Sequence, residues 1–169
     1  MIMRMAEMAM AQGEGMKRTK QIQAQVDRAL EAARDLSWFT AEAHFLKALA
    51  ASRSRNDWEG MIEIIEGLRQ ARQEIRRKAL VRGSVRICDD AVTETMELSP
   101  GRYLVQPPLV GADARRLIQY GRDRGVPIAV LCREPRTQSG LIPLVAIAPG
   151  TTVRIRIDPP AKEAKPSAS

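Results

Sequence analysis

The apolar residues of this chain change their period near Gly83, from spacings of three and four before it to alternation after it. A period of 3.6 builds one buried stripe along a helix, whereas a period of two builds one buried face of a strand. A chain that switches between them commits to a helical part followed by a sheet-containing part. With 169 residues, two small units can each bury a core. Two Trp, two Tyr and two Phe are the only aromatic residues, so those cores must be largely aliphatic.

Before Gly83, Ile22, Val26, Ala29, Leu30, Ala33 and Leu36 recur at helical spacing and predict a helix over about 18–36. Ser37 and Thr40 are candidate caps for a second helix near 40–55, with Ala41, Phe45, Ala48, Leu49 and Ser52 on one narrow stripe. Asn56 and Glu59 have capping-box spacing for a third helix, whose stripe is Trp58, Met61, Ile62, Ile65, Leu68 and Ile75. Arg76, Arg77 and Lys78 suit its C-terminus, and Gly83 ends it. Short connections make neighbouring helices antiparallel, so a helical hairpin or three-helix unit is expected.

Within this region, Phe45-Leu46-x-x-Leu49, the turn Asn56-Asp57-Trp58 and then Gly60, Met61, Ile65 and Leu68 resemble one tetratricopeptide helix pair, over about 41–72. The resemblance implies a helical surface that binds protein. It places Phe45, Trp58, Met61 and Ile65 at that surface.

After Gly83, Ser84–Cys88, Val92–Leu98 and Arg102–Gln106 alternate as strands, with Asp89-Asp90 and Ser99-Pro100-Gly101 between them. Asp113-Ala114-Arg115-Arg116 opens a helix over about 112–124, which Gly125 closes. The apolar run Ile128–Cys132 has the length of a strand buried on both sides. Strand, helix and strand in so short a span form a βαβ unit, hence a parallel pair. Leu141–Ala148 and Thr151–Ile157 then form a hairpin around Pro149-Gly150. The expected fold class is α+β, or mixed: a helical region over 17–82, then a small α/β domain over 83–158 with a mixed sheet and one βαβ crossover. Residues 1–16 read as disordered or as a misassigned start before Met16, and 159–169 as a disordered tail.

The chain carries formal charge +7, yet its basic residues are spread along its length and form no polybasic tract. No apolar run reaches the roughly 18 residues of a membrane span. Arg4 and Glu7 interrupt any signal-peptide core, and the two cysteines, Cys88 and Cys132, sit in apolar surroundings that suit reduced thiols. A cytoplasmic location is expected, without a membrane partner.

Ligands of open sheets gather beyond the carboxyl ends of parallel strands. Two loops meet that description, Pro107–Asp113 and Arg133–Gly140. We expect them to converge into a shallow anion-binding pocket made by the Gly111, Ala112 and Asp113 amides with Arg133, Arg136, Thr137 and Ser139. Neither loop carries a Walker or dinucleotide-binding motif. Cys132 lacks the arginine that a C-x-x-x-x-x-R phosphate loop needs, since position 138 is Gln138, and His44 is the only histidine. No catalytic set, metal site or cofactor is implied, and an enzyme is less expected than a binding protein.

Three functions follow, in order. The first is a non-enzymatic interaction or adaptor protein whose helical region binds a protein partner or a second copy of itself. The second is a nucleic-acid-binding protein acting through Arg102, Arg154 and Arg156, two of which share one sheet face by alternation. The third is a small α/β enzyme or anion-binding module.

Overall fold

The computed structural model describes residues 20–80, 83–148 and 151–159. Expectations for 1–16, for 160–169 and for the Pro149-Gly150 turn lie outside the described residues. The chain divides into two compact units between Ile75 and Arg76, earlier than the expected boundary at 82/83.

The first unit contains α1 over 20–34, α2 over Trp38–Arg53 and, as far as Ile75, α3 over Trp58–Ala79. Ile22, Ala29 and Ala32 of α1 bury against Ala41, Phe45 and Ala48 of α2 and Ile64, Leu68 and Ala71 of α3. Small residues bring the helices close. A Cβ placed on Gly67 would stand 2.5 Å from the Phe45 ring, so α3 admits that ring only because position 67 has no side chain. Glu42 is buried on α2, and its carboxylate accepts a 2.8 Å bond from Arg72 Nε of α3.

Both helix-to-helix corners are built alike. Leu36 and Asn56 adopt left-handed conformations, with φ of 57° and 55°. In each corner the next amide bonds back to the carbonyl five residues earlier, Ser37 to Ala32 and Asp57 to Ser52, and the left-handed residue bonds to the carbonyl three earlier. These are Schellman turns. The capping box expected from Asn56 and Glu59 gives way to a simple cap one residue on: Asn56 closes α2, and Asp57 caps α3 by accepting the Gly60 amide at 3.0 Å.

The second unit is a five-stranded mixed sheet in the order β1 (Val85–Cys88), β2 (Gly101–Val105), β3 (Ile128–Arg133), β4 (Ile142–Ala148), β5 (Thr151–Ile157). The first three strands are parallel and the last two antiparallel. Helix α4 (Gly111–Asp123) connects β2 to β3, giving the expected βαβ unit. Gly125, at φ 65°, turns the chain out of α4.

Residues 92–98 do not form the strand that their alternation predicts. They belong to the connection between the parallel strands β1 and β2, which must cross over rather than turn back. Their alternation records packing of another kind: Val92, Met96 and Leu98 face the same core as α4. Arg124, just past α4, donates to the Met96 and Glu94 carbonyls and ties the two connections together.

Both crossovers therefore cover one face of the sheet. Cys88, Tyr103, Val105, Val130, Cys132 and Val145 point into that face and pack with Ala114 and Leu117. Among the described residues of this unit, neither crossover covers the opposite face. Ile128–Cys132 is accordingly buried on one side only, with Leu131 exposed between Val130 and Cys132.

Candidate functional site

Because β2 and β3 run parallel in register, Tyr103 beside Val130 and Val105 beside Cys132, their following loops leave the same end of the sheet. After β2 the chain passes a cis Pro107-Pro108 bond and enters α4 at Gly111. The Val110 amide donates to Asp113 Oδ2 at 2.9 Å, and Asp113 Oδ1 accepts from Arg116 at 3.2 Å. The Gly111 and Ala112 amides precede the first intrahelical acceptors, as in any first turn.

After β3, the Glu134 amide still bonds to the Pro143 carbonyl at 3.0 Å. Thr137 then closes the loop on itself: its amide donates to the Leu141 carbonyl at 2.9 Å, while its Oγ1 accepts the Leu141 amide at 3.1 Å. Its hydroxyl also bonds the Ser139 hydroxyl at 2.9 Å.

The two loops border a cleft of about 330 Å³. Leu109, Val110 and Gly111 form one side, and Glu134, Pro135 and Thr137 the other. Pro143, Arg154 and Arg156 complete it. Arg154 Nη2 lies 2.7 Å from Glu134 Oε1, whereas Arg156 has no partner among the described residues.

Of the seven expected pocket residues, Gly111 and Thr137 line this cleft. Ala112 and Asp113 follow in the first turn of α4, with the Asp113 carboxylate engaged locally, and Ser139 holds the Thr137 hydroxyl. The expected cations do not arrive. Arg133 pairs in register with Leu144 on the face opposite the crossovers, since Cys132 beside it points into the core, and Arg136 is exposed outside the cleft. Arg154 and Arg156 take their place. The antiparallel β4–β5 register sets Arg154 beside Val145 and Arg156 beside Pro143, which brings both to the loop end of the covered face. That outcome was legible in principle, because a hairpin following the last parallel strand returns its second arm to the same end of the sheet.

The expected cationic surface joining Arg102 to Arg154 and Arg156 does not form. Arg102 lies on β2, three places from β5 in the sheet, and faces the opposite side, where it donates to the Gly83 carbonyl. Tyr103 is buried, with its hydroxyl donating to the Ser99 carbonyl at 2.9 Å and Arg86 5.4 Å above its ring. It offers no stacking surface.

The residues expected on the helical binding surface also separate. Phe45 is core rather than surface, because it fills the space that Gly67 leaves. Met61 is half-buried. Trp58 and Ile65 are exposed, at 65% and 47%, and Ile62 between them is exposed at 69%. Spaced four and three apart, Trp58, Ile62 and Ile65 form a continuous apolar stripe on the outside of α3.

Burial pushes the Cys132 thiol up, and the Glu134 and Asp113 carboxylates push it further, which disfavours the thiolate a nucleophile needs. Cys88 is raised likewise, by burial first and then by Asp89. His44 Nδ1 lies 2.8 Å from Gln25 Oε1, between α2 and α1. Among the described residues, no group of three His, Cys, Asp or Glu side chains could hold a metal ion. None of the described helices is long and apolar enough to cross a membrane. Comparison with known proteins finds no matching family model, no matching curated protein and no matching solved structure.

Proposed function

We propose that this chain is a non-enzymatic interaction protein that presents α3 to a protein partner. The observation that supports this reading is the stripe of Trp58, Ile62 and Ile65, three large apolar side chains left in water on one helix face. Such side chains serve as anchors when a partner supplies a hydrophobic groove. The cytoplasm suits two buried free thiols, since oxidising compartments favour bridged ones. A photo-crosslinker at Ile62, in the full chain and in its own cells, should trap a defined partner, whereas one at Gln70 should not. The recovered partner should then bind the purified chain with a blue shift of Trp58 emission, and Ile62→Asp should weaken it at least tenfold. Equal trapping at both positions would remove the reading.

A second reading rests on the cleft, where Arg156, which has no partner among the described residues, stands with Gly111 at the start of α4. A guanidinium and backbone amides together suit a phosphate or carboxylate. Inorganic phosphate should raise the melting temperature more than chloride at equal ionic strength, and Arg156→Ala should abolish the difference. No phosphate-specific shift in the unaltered chain would dismiss it.

A further inference from the structure

The strand registers align Ile87, Leu104, Leu131, Ala146 and Val153 in one row across all five strands, on the sheet face opposite the crossovers. Val85 flanks this row on one side, and Leu144 and Ile155 on the other. Val85, Ile87, Leu131, Val153 and Ile155 are each between 44% and 59% exposed. A half-buried sheet ordinarily turns polar residues to water, so this face has the composition of a core although, apart from the buried Ile142, most of its large side chains are exposed.

We infer that this face is an interface between two copies of the chain, packed sheet against sheet. Three observations choose a second copy. The first is area: the exposed side chains, with Ile157 and the rest of the row, offer roughly 500–700 Å² per copy, near the ~800 Å² per partner of a stable association and at the upper end of the about 300–600 Å² that the largest apolar patch of a monomer covers. The second is composition, since β-branched Val and Ile predominate, and their stiff side chains interdigitate well between stacked sheets. The third is charge. The strand residues on this face include no Asp or Glu and only Arg102 and Arg133 as cations, so packing two copies together along the row buries little charge.

Its cations, Arg102 and Arg133, lie off the row on opposite sides of it. A two-fold axis along the row stacks like on like, Leu131 on Leu131. It sets each Arg133 over the other copy's Ala129, not over its Arg133. The face is thus complementary to itself, as an isologous dimer requires. This surface is separate from the α3 stripe, and the two proposals fail independently.

Light scattering across a dilution series measures the outcome. The full chain should have twice its 18.8 kDa mass at micromolar concentration. Leu131→Glu, in the middle of the row, should weaken dimerisation at least a hundredfold. Ile155→Lys, on another strand, should do the same. Both positions face water in the single chain, so the circular dichroism and the cooperativity of melting should be retained. Trp58→Glu, on α3, should leave the dimer intact. A full chain that is monomeric throughout would overturn the inference, as would a dimer that survives both sheet substitutions or one that Trp58→Glu dissociates. A chain that dimerises only after residues 1–16 are removed would assign the face to that segment and would equally overturn it.

Discussion

Cys88 and Cys132 lie on the covered face with Val105 between them in the same row of the sheet. Strand spacing puts them about 9–10 Å apart, too far for a disulfide without rearranging β2. Both thiols are held above the ordinary value of 9.0 by burial. A raised value in the folded state means that the unfolded chain ionises first. Below pH 9 both states keep their protons and the thiols cost nothing. As the pH climbs from about 9 toward the folded values, only the unfolded state ionises and stability falls. The melting temperature should therefore drop above about pH 9, and replacing both cysteines with Ala should flatten that alkaline slope relative to the unaltered chain. An identical slope would mean that other groups cause it. The sequence showed the apolar setting of both thiols. Their separation by one strand needed the register, which depends on contacts distant in sequence.

At the scale of elements, the contact between α2 and α3 sets two helix preferences against each other. Gly67 interrupts α3, and replacing it with Ala would ordinarily favour the helix by about 1 kcal/mol. Its missing Cβ is also where the buried Phe45 ring sits, so the ring and its core neighbours must shift to admit one. Overpacking of this kind costs about 1–3 kcal/mol, which exceeds the propensity gain. Gly67→Ala should therefore destabilise the helical unit, by a net of about 1 kcal/mol in chemical denaturation. A stabilised variant would show that the ring moves freely. The positions of the helices were legible because each has a periodic stripe, and the turns because polar residues interrupt those stripes. The role of Phe45 was not legible. A Phe on the stripe of a paired helix reads equally as an anchor or as core, and only Gly67 on the facing helix decides. In the sheet, 92–98 misled because alternation also arises where an irregular crossover lies on a core.

At the scale of the whole molecule, the two apolar cores share no residue: one is built from the three helices, the other from the sheet with α4 and the 92–98 crossover. The chain supplies a separate reporter for each. Its only two tryptophans, Trp38 and Trp58, lie in the helical unit, and its only two cysteines lie buried in the sheet unit. If the units unfold as the division at Ile75/Arg76 implies, a denaturant titration should give one midpoint by tryptophan emission and another by thiol reactivity. Gly67→Ala should lower the first and leave the second in place, because substitutions without shared contacts act locally. The converse probe is Leu117→Ala, which removes a fully buried side chain from beneath the sheet and should lower the thiol midpoint by the equivalent of about 2–5 kcal/mol without moving the tryptophan transition. Coincident midpoints that shift together in both variants would establish one cooperative unit and refute independent folding of the two cores.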